Sequence, residues 1–380
     1  MKRFFLGTVI LMATIVGVGM FGLPYVGAQS GFLIAAIFLF ILTAIMTFLH
    51  LFYGEIVSRT KEKHRLVGYA DHYLGRGWRS LVAISVVVGF YGSLLVYIIV
   101  GGDFLHLVFS SFTNIDVPVI VFNLIFFIIG AGAVYLGLRT ISGLDLFMGI
   151  FLILIVFLFL YLGFNQININ NLKTVDWHNI FIPYGVILYA LAGIAAIPEI
   201  KDFFSGESRK FYKKAIIWGT LIPGILYFIF MVTVIGLTGI NTSLDAVTGL
   251  IDLLGKKVIF MGALFGFLAT ISSFFILGLS LKETFLYDFK INKNLSWFMA
   301  CFVPLILFGF GVYNFVTIIA LLGAIMGGIE GTAVVLIYKK AKKLGDQAPD
   351  YNLKDPVILR YIMILLFVLG FIYTLLQIIA

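Results

Sequence analysis

Three glycines and a proline interrupt the first apolar run of this chain. Residues 13–32, ATIVGVGMFGLPYVGAQSGF, carry Gly17, Gly19 and Gly22, then Pro24. Glycine weakens a helix, and proline removes one rung of its hydrogen-bond ladder. Hydrocarbon offers no water to replace that rung. Irregular backbone therefore persists in a membrane only where it is buried in protein or lines a cavity. A break of this kind in a spanning helix points to a binding site.

The run lies in a membrane protein. Of 380 residues, 62% are hydrophobic and only 12% are charged, too little polar surface for a soluble domain. The net charge of +8 sits between apolar runs, so it reports topology and not a nucleic-acid partner. The single cysteine, Cys301, excludes an intramolecular disulfide. Lys2 and Arg3 precede a run too long for a signal peptide, and no soluble domain follows it.

A spanning helix takes about 20 apolar residues. Eleven runs qualify: 5–28, 32–57, 79–110, 117–138, 141–163, 180–201, 211–237, 257–287, 294–310, 312–338 and 357–379. The fold expected is thus all-α and integral to the membrane. With the N-terminus cytoplasmic, all 26 Lys and Arg residues except Lys173, Lys256 and Lys257 fall on the cytoplasmic side. That bias fixes the orientation and places the C-terminus outside the cytoplasm. Two connections read as short helices: 66–78 on the cytoplasmic face, and 241–254, which opens with capping residues, on the outer face.

The sixth run repeats the pattern of the first. Gly193 is followed five positions later by Pro198, as Gly19 is by Pro24. The first run leads outward and the sixth inward. Two interrupted helices at matching places in halves of opposite orientation indicate a five-plus-five inverted repeat, with its site at the bilayer midplane. The halves are 1–163 and 164–338, followed by a cytoplasmic loop and an eleventh helix in 339–380.

GVGMFGLPYVGAQSGF in the first run and LYALAGIAAIPE in the sixth resemble the amino acid permeases of the amino acid–polyamine–organocation superfamily. The likeness is to the aromatic amino acid permease and amino acid/auxin permease branches. GYADHYLG, KKAIIWGTLIPGILY and LATISSFFILGL agree with it, so it covers most of the chain. It implies a core of spans one, two, six and seven that moves against a scaffold. It also implies a secondary active transporter in the plasma membrane that carries neutral amino acids, aromatic or branched.

An amino acid brings a carboxylate and an ammonium. Free amides at the start of a half-helix attract an anion, so Gly17, Val18 and Gly19 are expected to hold the carboxylate. Carbonyls released at the breaks, those of Ile15, Tyr189 and Ala190, are expected to accept from the ammonium, with Gly193 allowing close approach. No charged side chain lies at either break, which suits a zwitterion. By resemblance Tyr189 is an aromatic gate, and either of Tyr91 and Tyr97 has a place to face the site.

Ser272 and Ser273 resemble the hydroxyl pair that completes a cation site in sodium-coupled relatives. Carbonyls of Ala13, Val16 and Ala269 would fill the set. Serines in membrane helices also commonly bond their own backbone. Sodium is the favoured coupling ion and a proton the alternative, with no further cofactor. Glu330 and Asp103 are the intramembrane carboxylates available for gating or proton coupling. Glu55, Glu199 and Glu283 lie beside Arg59, Lys201 and Lys282 and read as solvated or salt-bridged.

Other function classes fare worse. The histidines His50, His64, His72, His106 and His178 form no metal-spacing motif, and no HExxH, GxSxG or P-loop occurs. An enzyme or an ATP-driven pump is therefore not expected. The competing reading is an amino acid sensor on the same fold, which the short termini leave without a signalling domain.

Overall fold

The computed structural model describes residues 2–113, 115–137, 142–288, 290–354 and 356–379. Arg139, counted above on the basic side, lies outside them. Among the described residues every regular element is helical. The chain runs α1 (Lys2–Ile15), α2 (Gly19–Ser30), α3 (Phe32–Arg59), α4 (Leu66–Leu74), α5 (Arg76–Ser110), α6 (Val119–Leu136), α7 (Ser142–Gly163), α8 (Ile182–Ala190) and α9 (Ile197–Lys201). It continues through α10 (Tyr212–Thr238), α11 (Ile251–Leu254), α12 (Lys256–Glu283), α13 (Lys293–Gly309), α14 (Phe315–Ile325), α15 (Thr332–Leu344) and α16 (Val357–Ile379).

Eight of these helices or helix groups are long and apolar enough to cross a membrane. The pair α1 and α2, bent by 57°, makes a ninth span. Two shorter apolar helices, Ile153–Gln166 and Lys293–Gly309, bring the total to the expected eleven only if both also cross. The tenth run goes beyond its expected end at 338. Hydropathy fails there, yet α15 continues to Leu344 because Ala341 is fully buried while Lys339 and Lys340 point outward.

Gly75, at φ 93°, divides the expected helix 66–78 into α4 and the start of α5. The outer connection 241–254 departs further from expectation. Asp245 captures the amides of Val247 and Thr248, and Ser243 takes that of Gly249. These side-chain turns compete with helix formation, leaving only a 3₁₀ turn and the four-residue α11.

Packing divides the spans into two groups. α1, α2, α3, α8 and α10 pack on one another, and α5, α6, α12 and α13 form a second set. α8 and α14 meet so closely that a Cβ on Gly185 or Gly323 would strike the other helix's backbone.

The basic end is tied by polar contacts. Arg3 donates to Ser205 Oγ at 2.9 Å, and Arg65 pairs with Glu199 at 2.9 Å. Lys201 takes Asp350, at 2.5 Å, as its partner. Glu55 is fully buried, pairs with Arg59 and also accepts the Leu353 amide. Lys282 does not serve Glu283 alone. Its Nζ donates to the carbonyls of Val134 and Tyr135 in the last turn of α6, where the Gly137 amide also reaches Val134.

Candidate substrate site at two helix breaks

The break between α1 and α2 is three residues long, Val16, Gly17 and Val18. The Val16 amide still bonds back to Met12. Among the described residues, those of Gly17, Val18 and Gly19 make no backbone hydrogen bond. These are the three amides expected to hold a carboxylate, and they stand at the N-terminus of α2.

The break in the sixth span is longer. α8 ends at Ala190, a 3₁₀ turn covers Ile194–Ala196, and α9 starts at Ile197. Pro198 falls in the first turn of α9, where no amide proton is needed. Pro24, its counterpart, lies inside α2.

The two breaks touch. A Cβ on Gly19 would come within 2.8 Å of the Ala190 Cα and 3.0 Å of the Tyr189 ring. Gly19 is therefore required by protein packing against the sixth span. Gly17, two residues earlier, differs completely: a Cβ there would meet nothing within 4 Å. Of the two glycines, Gly17 is the one that faces open space. Gly193 closes the back of the site, where a Cβ would approach Ile15 Cγ1 at 2.7 Å and His50 Cε1 at 3.1 Å.

Tyr227 of α10 was not singled out by the sequence. Its buried hydroxyl lies 2.7 Å from the Ile15 carbonyl and 2.9 Å from that of Ala190. The Gly17 amide faces the same oxygen. Two of the three carbonyls expected to receive an ammonium thus already have a hydrogen-bonding neighbour. The third, on Tyr189, accepts from the Ala192 amide at 3.1 Å. No sequence signal marks Tyr227, because both of its acceptors belong to other helices.

His50 is a second residue the sequence did not place. It is fully buried on α3, and its Nδ1 lies 2.9 Å from Thr220 Oγ1. The Thr220 hydroxyl gives its proton to Ile216, so it accepts from His50. That assigns the Nδ1–H tautomer and leaves Nε2 as an acceptor without a partner among the described residues.

The Tyr189 hydroxyl donates to Ser93 Oγ on α5 at 2.9 Å, and Tyr97 is a further hydrogen-bonding neighbour. Of the two α5 tyrosines, Tyr97 thus lies beside the site. Tyr91 lies beside Phe285 instead, at 6.4 Å between rings. On the side away from the basic end, Phe21 sets its ring edge-on to Phe104 at 4.8 Å and to Phe230 at 6.2 Å.

The residues of the expected cation site are distributed over α1, the break after it and α12. α1 packs chiefly on α10, and α12 chiefly on α5 and α7. Ala13 is half-buried and Val16 buried. Ser272 donates to the Ala269 carbonyl of its own helix at 3.0 Å, while Ser273 is half-buried.

Glu330 lies in a π-helical segment, Met326–Gly331, between α14 and α15. It is buried, accepts from Ser85 at 2.9 Å, and among the described residues has no basic partner within 4 Å. Asp103 is half-buried on α5 beside Asn123 and faces Asp245 of the outer connection.

The chain is similar to known transport proteins in sequence and in fold. Glutamine transporter 2 of Aliivibrio fischeri is 22% identical over 332 residues, covering 85% of each chain. Tyrosine-specific transport system 1 of Haemophilus influenzae is 24% identical over 289 residues, 73% of this chain and 71% of that one. Among solved structures, MhsT in complex with L-phenylalanine matches with a TM-score of 0.69 at 17% identity, over 97% of this chain and 98% of its own. MHP1, a nucleobase-cation-symport-1 family transporter, matches with a TM-score of 0.65 at 16% identity, over 98% and 90%. At those identities the structural likeness is one of fold. The model of the tryptophan/tyrosine permease family matches residues 1–376, and the chain belongs to that family.

Proposed function

We propose that this multi-pass membrane protein is a secondary active transporter of neutral amino acids, aromatic or branched among them, working by alternating access. The observation that carries the reading is the run of amides at Gly17, Val18 and Gly19, none bonded to a backbone carbonyl among the described residues, beside break carbonyls and with open space where a Gly17 side chain would lie. The Gly17 amide also faces the Tyr227 hydroxyl. Those amides suit a carboxylate, and each charge-assisted bond is worth about 1.5–3 kcal/mol. A site built from backbone, with no charged side chain at either break, suits a ligand of no net charge. The relatives named for glutamine and tyrosine support that class.

The coupling ion proposed is sodium, held by the carbonyls of Ala13, Val16 and Ala269 and the hydroxyls of Ser272 and Ser273. Hydroxyl and carbonyl oxygens suit a hard monovalent cation. One observation favours a proton as the second reading: Glu330 is buried and bonded to the Ser85 hydroxyl, and among the described residues no cation pairs with it. The two breaks sit where the packed groups α1–α3, α8 and α10 could rock against α5, α6, α12 and α13. The site of action is the plasma membrane, with the N-terminus cytoplasmic.

The test is uptake of a panel of neutral amino acids into proteoliposomes, under an inward sodium gradient or choline at equal pH. Sodium-stimulated accumulation that is lost in the double variant Ser272→Ala, Ser273→Ala supports both halves of the proposal. Accumulation indifferent to sodium but driven by a pH gradient, and lost in Glu330→Gln, moves coupling to the proton. No uptake of any neutral amino acid by folded protein rejects the transporter reading.

A further inference from the structure

The two breaks release carbonyls as well as amides. Ile15 is the last residue of α1, and Ala190 is the last of α8. Between their carbonyls stands one phenol, Tyr227, at 2.7 and 2.9 Å. A phenol has one proton, so it donates to one carbonyl at a time. It is also fully buried, with no water-exposed alternative for its hydroxyl. The same two carbonyls are acceptors an ammonium would seek.

We infer that Tyr227 determines the affinity of this site for amines: its hydroxyl holds the place of the substrate's amino group when the carrier is empty, and the arriving amine displaces it. The inference rests on the reading of the breaks as an amino acid site. Its physical basis is that a buried polar group without a partner is costly in a membrane interior. An empty carrier with bare break carbonyls would resist closing into a dry state. A tethered phenol supplies one donor and bridges α1 to α8, so the empty carrier can close and reorient. The same phenol competes with the amine for its acceptors.

Two consequences distinguish this role from others. Removing the hydroxyl should strengthen amine binding, because the competitor is gone. It should also slow net uptake, which needs the empty carrier to return, while leaving exchange, which does not. A direct contact between phenol and substrate would instead weaken binding on removal. A purely structural staple would reduce net uptake and exchange alike and leave affinity unimproved.

The experiment compares wild type with Tyr227→Phe in proteoliposomes, using the amino acid that the wild type carries best and its desamino analogue, the same acid without the amine. Expected for Tyr227→Phe is a half-saturation constant for exchange about three- to tenfold lower. Net uptake should be slowed several-fold more than exchange, and inhibition by the desamino analogue should be unchanged. An unchanged or higher half-saturation constant in folded variant overturns the inference, as does an equal gain for the desamino analogue. If the phenylalanine variant does not fold, Tyr227→Met, which also lacks a donor, is read by the same criteria. Failure of both to fold marks a structural staple and overturns the inference as well. Absence of exchange in the wild type rejects the amino acid site itself. Normal wild-type exchange with no gain in the variants rejects this inference alone.

Discussion

The breaks in the first and sixth spans share a spacing, glycine then proline five residues on, and differ in almost everything else. The first is short, leaves three amides without a backbone acceptor among the described residues and has open space at Gly17. The second is twice as long, is partly wound as a 3₁₀ turn, and is backed by Ile15 and His50 at Gly193. Its proline starts a helix, whereas Pro24 lies within one. The pair teaches that one motif can serve two jobs. In the first span it exposes backbone to a ligand, and in the sixth it shapes a support that presses against the first.

Gly19→Val breaks that comparison most severely. Its side chain would meet the Ala190 backbone, which cannot rotate away, so the breaks must part. The expected outcome is the largest loss of folded yield and melting temperature in the set, with no transport. Monodispersity and thermal melting in detergent check it. A folded, active Gly19→Val protein would mean that the breaks are not in contact in the working carrier.

Gly193→Ala probes the support. The added methyl meets the flexible end of Ile15 and the His50 ring, which yield at a cost of about 1–3 kcal/mol. Melting should fall by a few degrees and transport rate by a few-fold, with the half-saturation constant little changed. A large rise in that constant at unchanged stability would make Gly193 part of the ligand surface, erasing the distinction between the breaks.

Tyr189→Phe is the mildest. It removes the hydroxyl that joins the sixth span to Ser93 of α5. One hydrogen bond is worth about 0.5–1.5 kcal/mol, so substrate efflux should accelerate two- to tenfold. Efflux measured from preloaded vesicles reads this directly. An unchanged efflux rate would remove Tyr189 from any gate.

The sequence made some of this readable and concealed the rest for physical reasons. Hydropathy and charge located the helical runs within a few residues, because the membrane imposes both on each segment separately. The break at Gly17, Val18 and Gly19 was legible too, since it follows from local glycine chemistry, whereas the Tyr227 hydroxyl that faces the Gly17 amide was not. Gly17 and Gly19 could not be told apart, because what each faces is decided by the sixth span, some 170 residues away. Tyr227 and the Thr220–His50 pair were hidden for the same reason: their partners lie on other helices. The outer connection misled because capping residues at 241–254 took the backbone amides that a helix would have used.

The central claim is that a zwitterion is held at the open side of the first break. Gly17→Val addresses it most directly, because the added side chain enters space that no protein atom occupies and should leave the fold intact. Uptake of the best-carried neutral amino acid would be followed across a concentration series, beside a thermal melt of the same preparation. The account predicts a near-wild-type melt with a half-saturation constant raised at least tenfold, or with uptake lost. A folded Gly17→Val protein with wild-type half-saturation and rate would contradict it.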